Sequence, residues 1–307
     1  MRWAALVLAV VVGLGTLTAC THGPVVARRS ASAAPRTQRT AHVGTAGPSA
    51  APSAHPTRPT HIVVVVMENR SYSEVIHNRN APYLNALLRH SASYSHFHAE
   101  THPSQPNYLA LFSGSTHRVR TDSCDYRFHS DNLGDEVLDA RLTFTAYTES
   151  LPGAGIERCK PLITESTLAR EPWTDFTDVP AMLNQPFSTF PRDYAQLPVL
   201  SFVIPNLRDS MHSGSVARGD RWLGTHLGAY ATWARRHNSW LVITWDEAHH
   251  SSDNQIPTLI AGAGIVPGTY AQPVDHYDLL RTIEVALGLP AIGSAADVPP
   301  INGVPTR

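Results

Sequence analysis

"HIVVVVMEN", residues 61–69, sets four valines in a row and then turns abruptly to Met-Glu-Asn. A short unbroken run of β-branched residues predicts a strand buried on both faces, as in a parallel sheet flanked by helices. The polar end then matters. In open α/β sheets ligands gather outside the carboxyl ends of the strands, and that is where this reading puts Glu68 and Asn69.

Similar runs recur along the chain. Strands are predicted at 61–67, 141–149, 197–206, 239–247 and 255–265, and helices at 81–91, 106–112, 131–140, 218–238 and 275–288. In 218–238 the residues Trp222, Leu223, Leu227, Tyr230 and Trp233 fall on roughly one face, as in an amphipathic helix packed on a sheet. Strands alternating with helices predict an α/β sandwich. Between 150 and 196 the pattern breaks into proline-rich irregular chain, predicted as an insertion or lid.

Three strand ends carry groups suited to metal or phosphate. The first delivers Glu68 and Asn69; 197–206 delivers Asn206, followed by Asp209 and His212; 239–247 delivers Asp246 and Glu247. A single acidic strand end is usually a cap or a salt-bridge partner. Oxygen ligands converging from separate strands instead make a site for a hard divalent cation. In "FHAETHPSQPNYLALFSGS", 97–115, Pro106 suits the first turn of a helix and places Ser104 near its N-cap. Ser104 therefore has two readings, a cap or a nucleophile at an anion-attracting helix start.

The bulk composition narrows the classes. A formal net charge of -1 gives no reason to expect nucleic acid. Hydrophobic residues make up 42% of the 307, enough for a sizeable core. "MRWAALVLAVVVGLGTLTAC", 1–20, has the form of a secretory signal, and Leu17-Thr18-Ala19-Cys20 resembles a lipobox that would lipidate Cys20. That predicts an exported protein, lipid-anchored to the outer face of the cell membrane or secreted. Residues 21–59, rich in Ala, Pro, Ser, Thr and Arg, predict a disordered tether, leaving 60–307 as the folded domain. In an exported chain the remaining Cys124 and Cys159 are most simply a disulfide, with two buried thiols as the alternative.

The motifs "VVVVMENRSYSEV", "ETHPSQPNYLALFSG", "SFVIPN", "DSMHSGS", "RGDRWL", "ITWDE", "NQIPT" and "HYDLLRTIE" together resemble the bacterial phosphoesterase family, from about His61 to Pro300. That family holds secreted acid phosphatases and phospholipase C enzymes. The resemblance implies an alkaline-phosphatase-like, three-layer α/β/α sandwich with a mostly parallel sheet. It makes Ser104 the nucleophile, Glu68, Asn69, Asp246 and Glu247 the holders of a divalent metal ion, and Asn107 a phosphate ligand. His212 and His276 match histidines that contact phosphate or protonate the leaving group, and His102 and Asn206 join Asn107 as substrate-binding candidates. One departure follows Asp-Glu, where Ala248-His249-His250-Ser251 replaces an acidic, glycine-bearing segment. The implied activity is hydrolysis of phosphate monoesters, phosphoinositides among them, through a phosphoseryl intermediate. The alternatives are a phosphodiesterase of the phospholipase C kind and a surface lipoprotein that binds metal or ligand without turnover.

Overall fold

The valine run is the centre of the sheet. A computed structural model describes residues 57–123, 126–156, 170–249 and 251–305, all within one unit, Ser53–Arg307. The expected signal peptide, tether, Cys20, Cys124 and Cys159 lie outside the described residues. β1 (Ile62–Met67) is buried along its whole length. It pairs in parallel with β5 (Leu200–Ile204) on one side and β6 (Trp240–Trp245) on the other. Beyond β5 the sheet continues in parallel through β3 (Phe144–Thr148) to β4 (Asn184–Pro186). Beyond β6 come β7 (Thr258–Gly262), then β2 (Ser91–Tyr94) and β8 (Gly268–Tyr270). The eight strands run in the order β4-β3-β5-β1-β6-β7-β2-β8, with β7 alone reversed.

Helices cover both faces, which is why the central strands need no polar alternation. On one side α2 (Pro82–Leu88) packs on α5 (Val216–Ala234), where Gly224 and Gly228 make room for the ring of Tyr83. Asp220 of α5 supplies the cap that α2 lacks locally, accepting from Tyr83 N at 3.0 Å and Leu84 N at 2.8 Å. On the other side α3 (Ser104–Ser113) packs with α4 (Leu133–Asp139) and α6 (His276–Leu287). Phe112 of α3 meets Phe202 of β5 edge to face at 5.7 Å. A short helix, α1 (Tyr72–Val75), follows β1. Gly114 ends α3 at φ 65°, and a Cβ there would stand 2.4 Å from Ile292 O. Among the described residues no helix is long and apolar enough to cross a membrane.

The three-layer, mostly parallel sandwich is present as expected. Several boundaries moved. The helix predicted at 106–112 begins two residues earlier, at Ser104, and the strand predicted at 255–265 shrinks to Thr258–Gly262. β2, β4 and β8 have three or four residues each, too few for a period to register in sequence. The stretch 150–196 is more than a lid. Its described part contributes β4 and, in the core, Trp173 and Phe176, each 2% exposed, which pack round Phe112.

Buried acids give the fold a pH signature. Glu284 of α6 is wholly buried, bonded to Ile292 N at 3.0 Å, and burial pushes its carboxyl up to about 7 from 4.5. Burial raises Asp278 and Glu149 as well. Between those two pH values the folded chain holds a proton that the unfolded chain releases, so stability falls as pH rises. Melting temperature should therefore be highest near pH 5 and decline through pH 7. Glu284 alone would contribute on the order of 3 kcal/mol across that window. Glu284→Gln should flatten the decline; a wild-type melting curve that improves with pH between 5 and 7.5 would contradict this.

Candidate active site

β1 and β6 are in register from Ile62 with Trp240 to Met67 with Trp245, so Glu68–Asn69 and Asp246–Glu247 leave the sheet side by side. Asn69 N donates to Asp246 Oδ1 at 3.0 Å. Asn69 sits at φ 46°, a left-handed conformation that asparagine tolerates better than most residues. Its carboxamide is 3.3 Å from Ser104 Oγ, and Glu247 Oε1 is 3.1 Å from the same oxygen. The one hydroxyl proton of Ser104 is thus shared between a carboxamide and a carboxylate. Ser104 is the first residue of α3, with Pro103 in the N-cap position, so its side chain is turned across to the strand ends and the capping reading fails. His102 Nδ1 bonds the other oxygen of Glu247, and its Nε2 lies 3.1 Å from Ser251 O. The divergent segment after Asp-Glu therefore folds back on His102, while His249 is within 3.6 Å of Glu74.

The charges here are unbalanced. Glu68 and Asp246 are 0% and 1% exposed. Glu68 Oε1 accepts from Tyr108 OH at 2.8 Å and lies 2.6 Å from Arg170 Nε. Arg170 also reaches Asp122, at 3.6 Å, whose other oxygen accepts from Gln105 N at 2.9 Å. Glu68 Oε2 and Asp246 Oδ2 are buried with no hydrogen-bond partner. Burial, then the charges of Glu68 and Glu247, hold the Asp246 carboxyl well above the usual carboxylate range. Burial raises Glu247 too, against the opposing pull of His102. Two orphaned carboxylate oxygens in a cluster of three acids are what a bound cation would satisfy. Among the described residues no three His, Cys, Asp or Glu side chains are already arranged as a metal cage. The gathered donors are instead mixed: carboxylate, carboxamide and hydroxyl oxygens.

Other expected site residues take different places. The carboxamide of Asn107 holds the preceding loop, accepting from Thr101 N at 3.0 Å and donating to Thr101 O and Pro103 O at 2.9 and 3.2 Å. Asn206 accepts from Arg208 N and Asp209 N, both at 3.0 Å, and builds the turn after β5. Both side chains shape loops, and no hydrogen bond joins either to Ser104. His276, expected to contact phosphate or protonate the leaving group, is 1% exposed, with both ring nitrogens engaged by Glu100 and the Trp245 carbonyl. His212 lies on the loop that packs beside Glu68 through Glu68 N to Ser210 O, 2.8 Å, and its buried Nδ1 has no partner. Tyr108, Arg170, Asp122 and Ser251 were not anticipated. Tyr108 could have been, since it is four residues after Ser104 and shares its helix face. Arg170 comes from patternless chain and gave no signal.

With that geometry in view, the chain belongs to the phosphoesterase family, whose model matches residues 75–290. It is 47% identical over 249 residues to a phosphatidylinositol-3-phosphatase of Mycobacterium tuberculosis, covering 80% of this chain and 82% of that protein. An acid phosphatase of Aspergillus fumigatus is 24% identical over 255 residues, covering 75% of this chain and 55% of the longer fungal protein. In fold, the chain is similar to a protein of the alkaline phosphatase superfamily from Vibrio parahaemolyticus. That match has a TM-score of 0.54 and 11% identity, over 80% of this chain and 72% of that one.

Proposed function

We propose that this chain hydrolyses phosphate monoesters, with the 3-phosphate of a phosphoinositide as the favoured substrate, by way of a phosphoseryl intermediate on Ser104. The observation that carries this is the Ser104 hydroxyl, at the start of α3, already bonded to Glu247 Oε1 at 3.1 Å. Glu247 can take the proton as Ser104 Oγ bonds to phosphorus and the ester P–O bond breaks. The positive dipole end of α3 lies where Ser104 would meet the anion, and Asn69 holds the attacking oxygen from the other side. His102, which shares Glu247 and lies at the open edge of the site, can return a proton to the leaving oxygen. Water then cleaves the seryl phosphate and restores the hydroxyl.

Glu68, Asn69, Asp246 and Glu247 would hold one divalent cation, the two orphaned oxygens supplying its hard donors. When bound, that cation offsets charge on the phosphoryl group and lowers the pKa of oxygen near it. The phosphoinositide assignment draws support from the mycobacterial relative. Export and lipidation at Cys20 remain part of the proposal through the sequence of residues 1–20.

The substrate class is tested with purified protein and a panel of phosphoinositides, an aryl phosphate monoester and the matching diester. The expected result is release of phosphate from the monoester and from the inositol 3-position, with diester turnover at least about a hundredfold slower. Comparable or faster cleavage of the diester would make the phosphodiesterase reading the right one.

A further inference from the structure

His276, at the start of α6, is buried beside the site and is left over from the chemistry above. Its Nδ1 is 2.6 Å from Glu100 Oε2, and its backbone N–H donates to Glu100 Oε1 at 3.0 Å. Its Nε2 is 2.9 Å from Trp245 O. Both partners of the ring are acceptors, so the ring donates from both nitrogens and carries a charge that Glu100 neutralises. The attraction of Glu100 and the Trp245 carbonyl raises the His276 pKa against the opposing effect of burial. Phe97 meets the ring edge to face at 5.5 Å.

The two tethered points are the ones that must agree. Glu100 lies four residues before Ser104, and Trp245 immediately precedes Asp246–Glu247. One ring thereby joins the loop that delivers the nucleophile to the strand end that delivers its proton acceptor. A buried ion pair stabilises a fold little better than an apolar pair of the same volume, so stability alone is a poor reason for it. The same loop is tied separately by Asn254, which donates to Ala99 O and Thr101 O at 3.2 and 2.9 Å and accepts from Ala248 N at 2.8 Å. Loss of the ring should therefore leave the loop folded but less well aimed.

We infer that the Glu100–His276 pair is a positioning brace, which sets the Ser104 loop against the Asp246–Glu247 strand end and keeps Ser104 Oγ within reach of Glu247. The inference rests on the roles given above to Ser104 and Glu247. His276 touches no substrate and moves no proton in the reaction.

The test compares Glu100→Gln, His276→Gln and the double variant with wild type and Ser104→Ala. It uses 4-nitrophenyl phosphate, a good leaving group, and an alkyl phosphate, a poor one. Each single variant should lose about 100-fold in kcat with KM within about threefold, and the double should be no worse than the poorer single. The loss should be equal for the two substrates. Glu100→Gln keeps a carbonyl acceptor, so it should retain more activity than Glu100→Ala. If His276→Gln fails to fold, the two Glu100 variants decide alone. Wild-type kcat in the folded single variants, or additive losses in the double, would overturn the brace while an inactive Ser104→Ala left the site intact. A loss confined to the alkyl phosphate would also overturn it, making His276 the leaving-group acid. Full activity of Ser104→Ala would fail the reading of the site and take the brace with it.

Discussion

Ser104→Ala is expected to lower kcat for a phosphate monoester by at least about a thousandfold while the protein still folds. The alternative gives a different outcome. A capping serine would bond a backbone N–H of its own helix, and its loss would cost about 1 kcal/mol and no activity. Ser104 is past the cap position, and its hydroxyl bonds Glu247 and Asn69 from two other segments. Truncation leaves those two acceptors short of one shared donor, a cost on the order of 1 kcal/mol that melting curves would show. Ser104→Asp restores a polar group at the helix start without a transferable hydroxyl, and should be as inactive as the alanine variant. Turnover near wild type in either variant would remove Ser104 from the chemistry.

Asp246→Asn is expected to abolish tight binding of a divalent cation and with it turnover, yet to leave the metal-free protein as stable as before or more so. The carboxamide oxygen can still accept from Asn69 N, which Asp246 now does at 3.0 Å. The variant removes a charge that burial, Glu68 and Glu247 all disfavour. Removing a strained charge from a functional site commonly raises stability at the expense of activity. Metal content by elemental analysis, calorimetric titration of the chelated protein with divalent ions, and melting of the metal-free forms supply the three readings. Full turnover of wild type after exhaustive chelation, or unchanged cation affinity in Asp246→Asn, would show that the acid cluster serves another purpose.

The parts of this site that were legible in the sequence are those whose physics is local. Val63 to Val66 fix a doubly buried strand, and the acid pair after Trp245 marks another, so the sequence alone puts Glu68, Asn69, Asp246 and Glu247 at one sheet edge. Ser104 was visible through its motif but with two meanings, and only contacts across the sheet could show that its hydroxyl bonds Asn69 and Glu247. Some letters serve two purposes. An asparagine that builds a turn, as Asn206 does, looks the same in sequence as one that binds phosphate. A histidine locked between a carboxylate and a carbonyl looks the same as a free acid. Arg170 was invisible because its position depends on long-range packing of a segment with no period, although its guanidinium lies 2.6 Å from Glu68.

Trapping the covalent intermediate tests the central proposal most directly. Protein turning over a phosphate monoester labelled in its phosphoryl group is quenched in acid, digested and mapped. The predicted result is label on the peptide that contains Ser104, stable to acid, released by alkali and absent from Ser104→Ala. Rapid turnover with no label on the protein would contradict the proposed mechanism, as would acid-labile label on His102 or His212.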